Sequence, residues 1–321
     1  MAVTRAAMKA RAAKPRAMTK RPDLPKIHQR VLAWFDEHGR SFPWREHRDP
    51  YQTLVAEVML QQTQTGRVAP AYEAFLAKFP TLSSLAHASA MEVIQAWKGL
   101  GYNRRAVDLQ RAAQTIEHQH GGVVPSDPKT LRALPGIGEY SASAVACFAH
   151  DAQVPVVDVN VQRVLSRAVR GSDEVSLDEA RKIAVRWLAP GQAYRWNQAL
   201  MDIGAMVCRI DSPLCARCPL RLACRYRAQG KDRVKREPRA PKGSRFEGST
   251  RQKRGGIVDH LRRAAEDGVS MSALGKAIHP EGGPDLTWLV ELLEGLERDG
   301  LVEMTPSARR GSGRGVVRLP G

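Results

Sequence analysis

Four of the five cysteines stand at Cys208, Cys215, Cys218 and Cys224, a C-x6-C-x2-C-x5-C pattern with Pro213 and Pro219 shaping tight loops between them. Four thiolates this close can ligate a zinc ion or an iron–sulfur cube, and either group would be structural. Spacings of six and five differ from a zinc ribbon, which uses two short C-x2-C knuckles far apart. Five cysteines in 321 residues are too few for a disulfide scaffold. With no secretory signal in view, the cluster points to a metal site in a reducing compartment. Cys147, alone in an apolar stretch, reads as a small buried side chain.

Two acids sit in contrasting settings. Glu57 lies within Leu54-Val55-Ala56-Glu57-Val58-Met59-Leu60, apolar on nearly every side. A carboxylate there is costly to ionise, so a raised pKa and a general-acid role are expected. Asp158 follows Val154-Pro155-Val156-Val157 and opens a helix over 160–169, whose dipole favours the charged form. Such a pair lets one site hold an acid and an anion together. Each has a structural reading too: Asp158 as a helix N-cap, Glu57 as the partner of some buried group.

Leu134-Pro135-Gly136-Ile137-Gly138 lies between helical stretches. Gly136 and Gly138 leave backbone N–H groups bare enough to approach a phosphate, beside the N-terminus of a helix from about Glu139. The third glycine and preceding strand of a dinucleotide site are missing, so that reading fails. Gln61, Gln62, Thr63 and Gln64 extend the Glu57 helix with amides able to read a base edge or plug a gap in a base stack. Tyr102, in Gly99-Leu100-Gly101-Tyr102, puts a flat ring on a glycine-rich turn that could wedge between bases. Its alternative is a core aromatic. His118 and His120 flank Gln119 near a helix end and read as a solvated face.

The elements that must hold these residues are helices. Helical periodicity recurs over 53–64, 89–98, 103–119, 139–149, 160–170, 178–188 and 194–208, broken by Gly and Pro. Residues 253–266, 271–278 and 286–299 add three more helices, followed by β-like pieces at 301–305 and 316–319 around an Arg- and Gly-rich turn. That is the winged-helix order. The expected organisation is a basic arm at 1–25, a helical domain at 26–227 carrying the four-cysteine cluster at 208–224, a basic linker at 228–252 and a winged-helix-like domain at 253–321. No run approaches the roughly 18 apolar residues of a membrane span. Lys and Arg number 50 against 33 Asp and Glu, a net charge of +17. Residues 1–30 hold nine basic side chains against one acid, 231–254 ten against three, and 305–321 four against none. A nearly neutral globule with basic arms suits a polyanion, above all nucleic acid. The acid-poor N-terminus also has some transit-peptide character.

The ordered set EVMLQQTQ, GLGY, LPGIG, VDVNVQRV and the four cysteines resembles the helix–hairpin–helix DNA glycosylases of the endonuclease III superfamily, specifically the adenine DNA glycosylase (MutY) branch. The resemblance runs from about residue 27 to 226. It implies an all-α, two-lobed fold with the site in a cleft and a [4Fe–4S] cluster on Cys208, Cys215, Cys218 and Cys224. It implies that Glu57 protonates the adenine ring, that Asp158 stabilises or captures the sugar cation, and that Asn160 supports the site. Tyr140 falls where lyase-competent relatives carry a nucleophilic lysine, which implies a monofunctional enzyme. Trp44 and Arg45 would line the adenine pocket and Gln198 would read the base. Gln62 and Tyr102 would occupy the duplex beside the opposing base, Gln61 would be a further base or DNA contact, and the Gly136 and Gly138 amides would hold a phosphate.

The substrate so implied is double-stranded DNA with adenine mispaired with 8-oxoguanine or guanine, handled by a cytoplasmic, nucleoid-associated monomer. One departure stands out: the basic linker and winged-helix-like segment occupy the place of the Nudix-like domain that helps such enzymes recognise 8-oxoguanine. Some actinobacterial members look the same. Mismatch-specific thymine glycosylases also carry a tyrosine at the Tyr140 position, but generally lack the QQTQ pattern and the counterpart of Gln198. A non-catalytic iron–sulfur DNA-binding protein and a zinc-binding regulator are the alternatives from other classes.

Overall fold

The computed structural model describes residues 22–233, 246–264, 266–281 and 285–321. Most of the expected N-terminal arm and part of the expected linker lie outside the described residues. Those described fall into two units, one of 22–40 with 155–233 and the other of 41–154 with 246–321.

The second unit is organised around the Pro50–Leu60 helix. Asp49 caps it by accepting from the Gln52 amide at 2.8 Å, and Pro50 at the first position has its φ already fixed. Eight of its eleven residues are buried, which is why the sequence shows no polar face. The helix expected to continue to 64 stops at Leu60. Gln61–Gln64 form a turn, with Gln62 in the left-handed region at φ 55°. Arg105 explains the stop, because its guanidinium takes the carbonyls of Val58, Met59 and Gln61 that further helical turns would have used.

The Arg104–His120 helix borders two cores. Ala106, Leu109, Ala112, Ala113 and Ile116 join the cluster around Leu54, Val55 and Met59. Val107, with Ile94, joins a second cluster made chiefly from the C-terminal helices Thr250–Leu261, Met271–Ile278 and Thr287–Arg298. The first of these starts three residues earlier than expected because Ser249 caps it, its hydroxyl accepting from the Gln252 amide at 3.2 Å. Three antiparallel strands accompany the helices: β1 (Val269–Ser270), β2 (Glu303–Met304) and β3 (Val316–Arg318), in the order β1-β3-β2. Val317 faces both Val269 and Met304 across the sheet. The wing hairpin is present, and β1 adds a third strand too short to leave an alternating pattern.

In the first unit the Leu24–His38 helix packs on Ala193–Asp202. Asp202, fully buried, accepts from the Arg40 amide at 2.9 Å and pairs with its guanidinium at 2.7 Å, so its charge is matched rather than stranded. Val159–Leu165 widens into an i→i+5 turn at Ser166–Arg170, and Ala193–Asp202 into another at Ile203–Val207. The second delivers Cys208. No helix among the described residues is long and apolar enough to cross a membrane.

Candidate active site

Glu57 sits near the middle of the Pro50–Leu60 helix and is 4% exposed among Leu54, Val55, Ala56 and Val58. Trp44, half-buried, packs on this core, stacked on Phe42 at 4.9 Å and edge-on to Tyr72 at 5.7 Å. Arg45 lies over the Phe42 ring at 5.1 Å. Burial pushes the Tyr72 hydroxyl up to about 12, so the group near Trp44 stays a neutral phenol.

The Pro128–Arg132 and Glu139–His150 helices flank the glycine hairpin, and Gly138 is the N-cap of the second. Gly136 has φ 71°, and a Cβ there would meet the Asp108 side chain at 2.7 Å, so glycine is required on both counts. A Cβ at Gly138 would face open space, which leaves that amide approachable. The Gln61 amide donates to Gly136 O at 3.3 Å and to Ser141 Oγ at 3.1 Å, tying the hairpin to the end of the Glu57 helix. Tyr140 is half-buried in the first turn after the hairpin.

Among the described residues three non-glycines have positive φ: Gln62, Tyr102 and Asp151. Asp151 ends a helix, where that conformation is ordinary. Gln62 and Tyr102 (φ 46°) are exposed on two neighbouring turns, and one residue holds both turns. Arg105 donates to the carbonyls of Val58, Met59 and Gln61 and to Thr63 Oγ1 on one side, and to the carbonyls of Leu100, Gly101 and Tyr102 on the other, at 2.5–3.4 Å. Burial lowers its pKa to about 10, which still leaves a cation at neutral pH. Backbone strain of this kind, costing about 1–3 kcal/mol per residue, persists where surroundings over-determine it. Arg105 was not evident from sequence, since its acceptors lie mostly some forty residues upstream.

In the first unit Asp158 caps the Val159–Leu165 helix, accepting from the Val161 amide at 2.7 Å and from Asn160 Nδ2 at 2.8 Å. Asn160 Oδ1 accepts from Arg163 Nη2 at 2.8 Å. Arg163 also donates to Gly204 O and Cys208 O, both at 2.7 Å. The chain Asp158–Asn160–Arg163–Cys208 therefore joins the acid to the cysteine segment. Burial depresses the Arg163 pKa, opposed by Cys208 and Asp158. Gly204 permits this closeness, since a Cβ there would meet Asn160 Cβ at 2.5 Å. Gln198 is buried on the Ala193–Asp202 helix, and its neighbour Asn197 accepts from the Val156 amide at 3.0 Å, fixing the segment that leads to Asp158.

Cys208, Cys215, Cys218 and Cys224 line one recess of about 310 Å³, partly continuous with solvent, together with Arg167 and Tyr226. Arg167 donates to Cys208 Sγ at 3.5 Å and to the carbonyls of Arg209 and Ile210 at 2.7 and 2.8 Å. Burial pushes Cys215 up to about 11 and Cys218 up to about 12, and neighbouring cysteines add to both. No three His, Cys, Asp or Glu side chains among the described residues converge on a single-ion position. Cys147 is fully buried in its helix, and His118 is exposed near the end of another.

A family model described as "HhH-GPD superfamily base excision DNA repair protein" matches residues 55–190, the span from the Glu57 helix through Asp158. The adenine DNA glycosylase of Mycolicibacterium smegmatis is 40% identical over 288 residues, 87% of this chain and 93% of that protein. The chain belongs to the adenine DNA glycosylase family. Solved relatives of this adenine glycosylase family member agree on the fold. A thermostable thymine-DNA glycosylase is 31% identical with a TM-score of 0.59, over 63% of this chain and 96% of that one. A trapped endonuclease III–DNA covalent intermediate, 24% identical, has a TM-score of 0.57 over 66% of this chain and 99% of its own. The M. smegmatis match reaches well beyond the part of the chain shared with either structure.

Proposed function

We infer that this chain is a base-excision adenine DNA glycosylase, an N-glycosylase acting on DNA, and we propose that it removes adenine mispaired with 8-oxoguanine or guanine and stops at the abasic site. The observation that carries the mechanism is a carboxyl group buried at mid-helix in a chain of this family. Glu57, buried among apolar side chains, is the group assigned to deliver a proton to a ring nitrogen of the extruded adenine. The C1′–N bond breaks with its electron pair going to the base, leaving an oxocarbenium ion. Asp158, oriented by Val161 N and Asn160, opposes that positive charge. Water adds at C1′ and loses a proton, giving adenine and an abasic sugar. Tyr140 offers a phenol and no amine, so no imine forms at C1′ and no strand is cut.

Trp44, Arg45 and Gln198 are assigned to the adenine pocket. Gln62 and Tyr102 are assigned to the duplex, and Gly136 and Gly138 to a phosphate. Flipping costs a few kcal/mol, and projecting groups held rigidly by Arg105 are suited to filling the gap. The four cysteines fit a [4Fe–4S] cluster better than zinc. Thiolates on one zinc stand about 3.8 Å apart, the edge of a tetrahedron with bonds of roughly 2.3 Å, whereas a cube spreads its four ligands to its corners. The C-x6-C-x2-C-x5-C spacing, unlike the paired knuckles of a zinc ribbon, and four thiols lining one recess suit the cube. Bound there, the cluster would cross-link residues 208–224 and so brace Arg163 and Arg167.

Labelled duplexes carrying A opposite 8-oxoguanine, A opposite G, and T opposite G test the reading after alkali treatment. Cutting of the A strand only after alkali is the expected result. Cutting without alkali would overturn the monofunctional assignment, cutting of the T strand would replace adenine by thymine, and no cutting by brown, cluster-loaded protein would leave a DNA-binding protein without catalysis.

A further inference from the structure

The C-terminal helices do not stand apart from the helical domain within their unit. Ile257, Leu261, Leu289, Leu293, Leu296 and Leu301 share a core with Ile94 and Val107. Polar bonds gather at the turn that carries Tyr102. Arg262 donates to Asn103 Oδ1 at 2.9 Å and to Ile94 O at 3.0 Å, and Asp299 takes both Arg104 (3.1 Å) and Arg254 (2.5 Å). Arg251 then reaches the tyrosine itself. Its Nη1 donates to the Tyr102 hydroxyl at 3.0 Å, and its guanidinium lies 5.9 Å from the Tyr102 ring centroid and 5.0 Å from that of Phe246. Phe246 is 52% exposed and Tyr102 44%. Ser249 fixes the Phe246 turn, its hydroxyl donating to Phe246 O at 2.6 Å.

An exposed phenylalanine over an exposed guanidinium over an exposed, strained tyrosine is expensive surface unless a partner covers it. The partner that matches flat rings alternating with a cation is stacked bases flanked by phosphate. We propose that Phe246 and Arg251 complete a composite DNA probe with Tyr102, contacting the base that faces the extruded adenine and its adjoining phosphate. This rests on Tyr102 entering the duplex as assigned above. The C-terminal element thereby takes part in mispair recognition, although residues 253–321 hold as many acidic as basic side chains and supply no net attraction of their own.

Arg251→Ala and Phe246→Ala test it, with Arg251→Lys as the charge-preserving control. All three substitutions are on exposed side chains, and unchanged melting shows that the fold is kept. Binding is read by fluorescence anisotropy on duplexes with a non-cleavable adenine analogue opposite 8-oxoguanine or guanine, and on a fully paired duplex. Expected is a loss on the order of 10-fold on mispaired duplexes for either alanine variant, the weight of one stacking or cation–π contact. The paired duplex should change less, and lysine should recover only part. Equal weakening on paired and mispaired DNA would overturn the proposal in favour of plain phosphate attraction, and tighter binding would overturn it in favour of a cap over Tyr102. If wild type discriminates mispairs and both alanine variants discriminate equally well, this inference fails alone. If wild type itself binds all duplexes alike and cleaves none, the proposed function fails with it.

Discussion

Glu57 and Asp158 are both carboxylates assigned to one reaction, yet the two are held by opposite means. Around Glu57 the helix is buried on nearly every side, and its position follows from packing of Leu54, Val55, Val58 and Met59. Around Asp158 the positioning is polar: an N-cap bond, Asn160, then Arg163 reaching Gly204 and Cys208. A proton donor needs an environment hostile to its charged form, which apolar packing provides. A carboxylate that must remain an anion needs donors aimed at it, which a helix start and an amide provide. The sharpest break of this contrast is Glu57→Gln. The amide keeps volume and cannot give up a proton, so single-turnover cleavage should fall by roughly 10²–10⁴-fold while duplex binding and melting persist. Retained cleavage would remove Glu57 from the chemistry.

Much of this contrast was legible in the sequence because it is written locally. An acid amid six apolar neighbours, an Asp at a helix start and four cysteines in seventeen residues need no knowledge of distant contacts. What was not legible depends on long side chains acting far along the chain. Arg105 and Arg163 bond carbonyls some forty residues away, and a carbonyl has no signature in the sequence. The same blindness extended the Glu57 helix through Gln64, since only the Arg105 guanidinium ends it at Leu60. It also left Ile94 and Val107 looking like ordinary helix positions, although they seat the C-terminal helices.

Arg105→Lys asks whether the packed region also depends on a polar hub. A lysine brings three donors where seven acceptors are now served, so several carbonyls lose their partner. About 1–3 kcal/mol of stability should be lost in denaturant unfolding, and mispair binding should weaken as the Gln62 and Tyr102 turns relax. Full retention of both would mean that packing alone holds these turns. Gly204→Ala probes the other region through volume. The added Cβ must displace Asn160, with backbone atoms at 3.0–3.1 Å as well as its Cβ at 2.5 Å, so overpacking should cost about 1–3 kcal/mol and slow cleavage. Unchanged melting and rate would show that the polar chain tolerates the shift.

Asn160→Ala gives the smallest effect and separates the two designs most finely. Asp158 would lose the 2.8 Å bond from Asn160 but keep the 2.7 Å bond from Val161 N, so the cap and the helix start survive. Arg163 would lose one acceptor and keep Gly204 O and Cys208 O, so the segment leading to the cysteines stays attached. What disappears is the donor that fixes one oxygen of the carboxylate. One such hydrogen bond is worth about 1 kcal/mol, or roughly a fivefold fall in the cleavage rate constant, with substrate affinity unchanged because the ground state carries no cation for Asp158 to oppose. Single-turnover rates set against anisotropy binding constants read that split. A matching loss in binding would make Asn160 a substrate contact, whereas loss of stability with an unchanged rate would make the chain from Asp158 to Cys208 scaffolding for the cysteine segment alone.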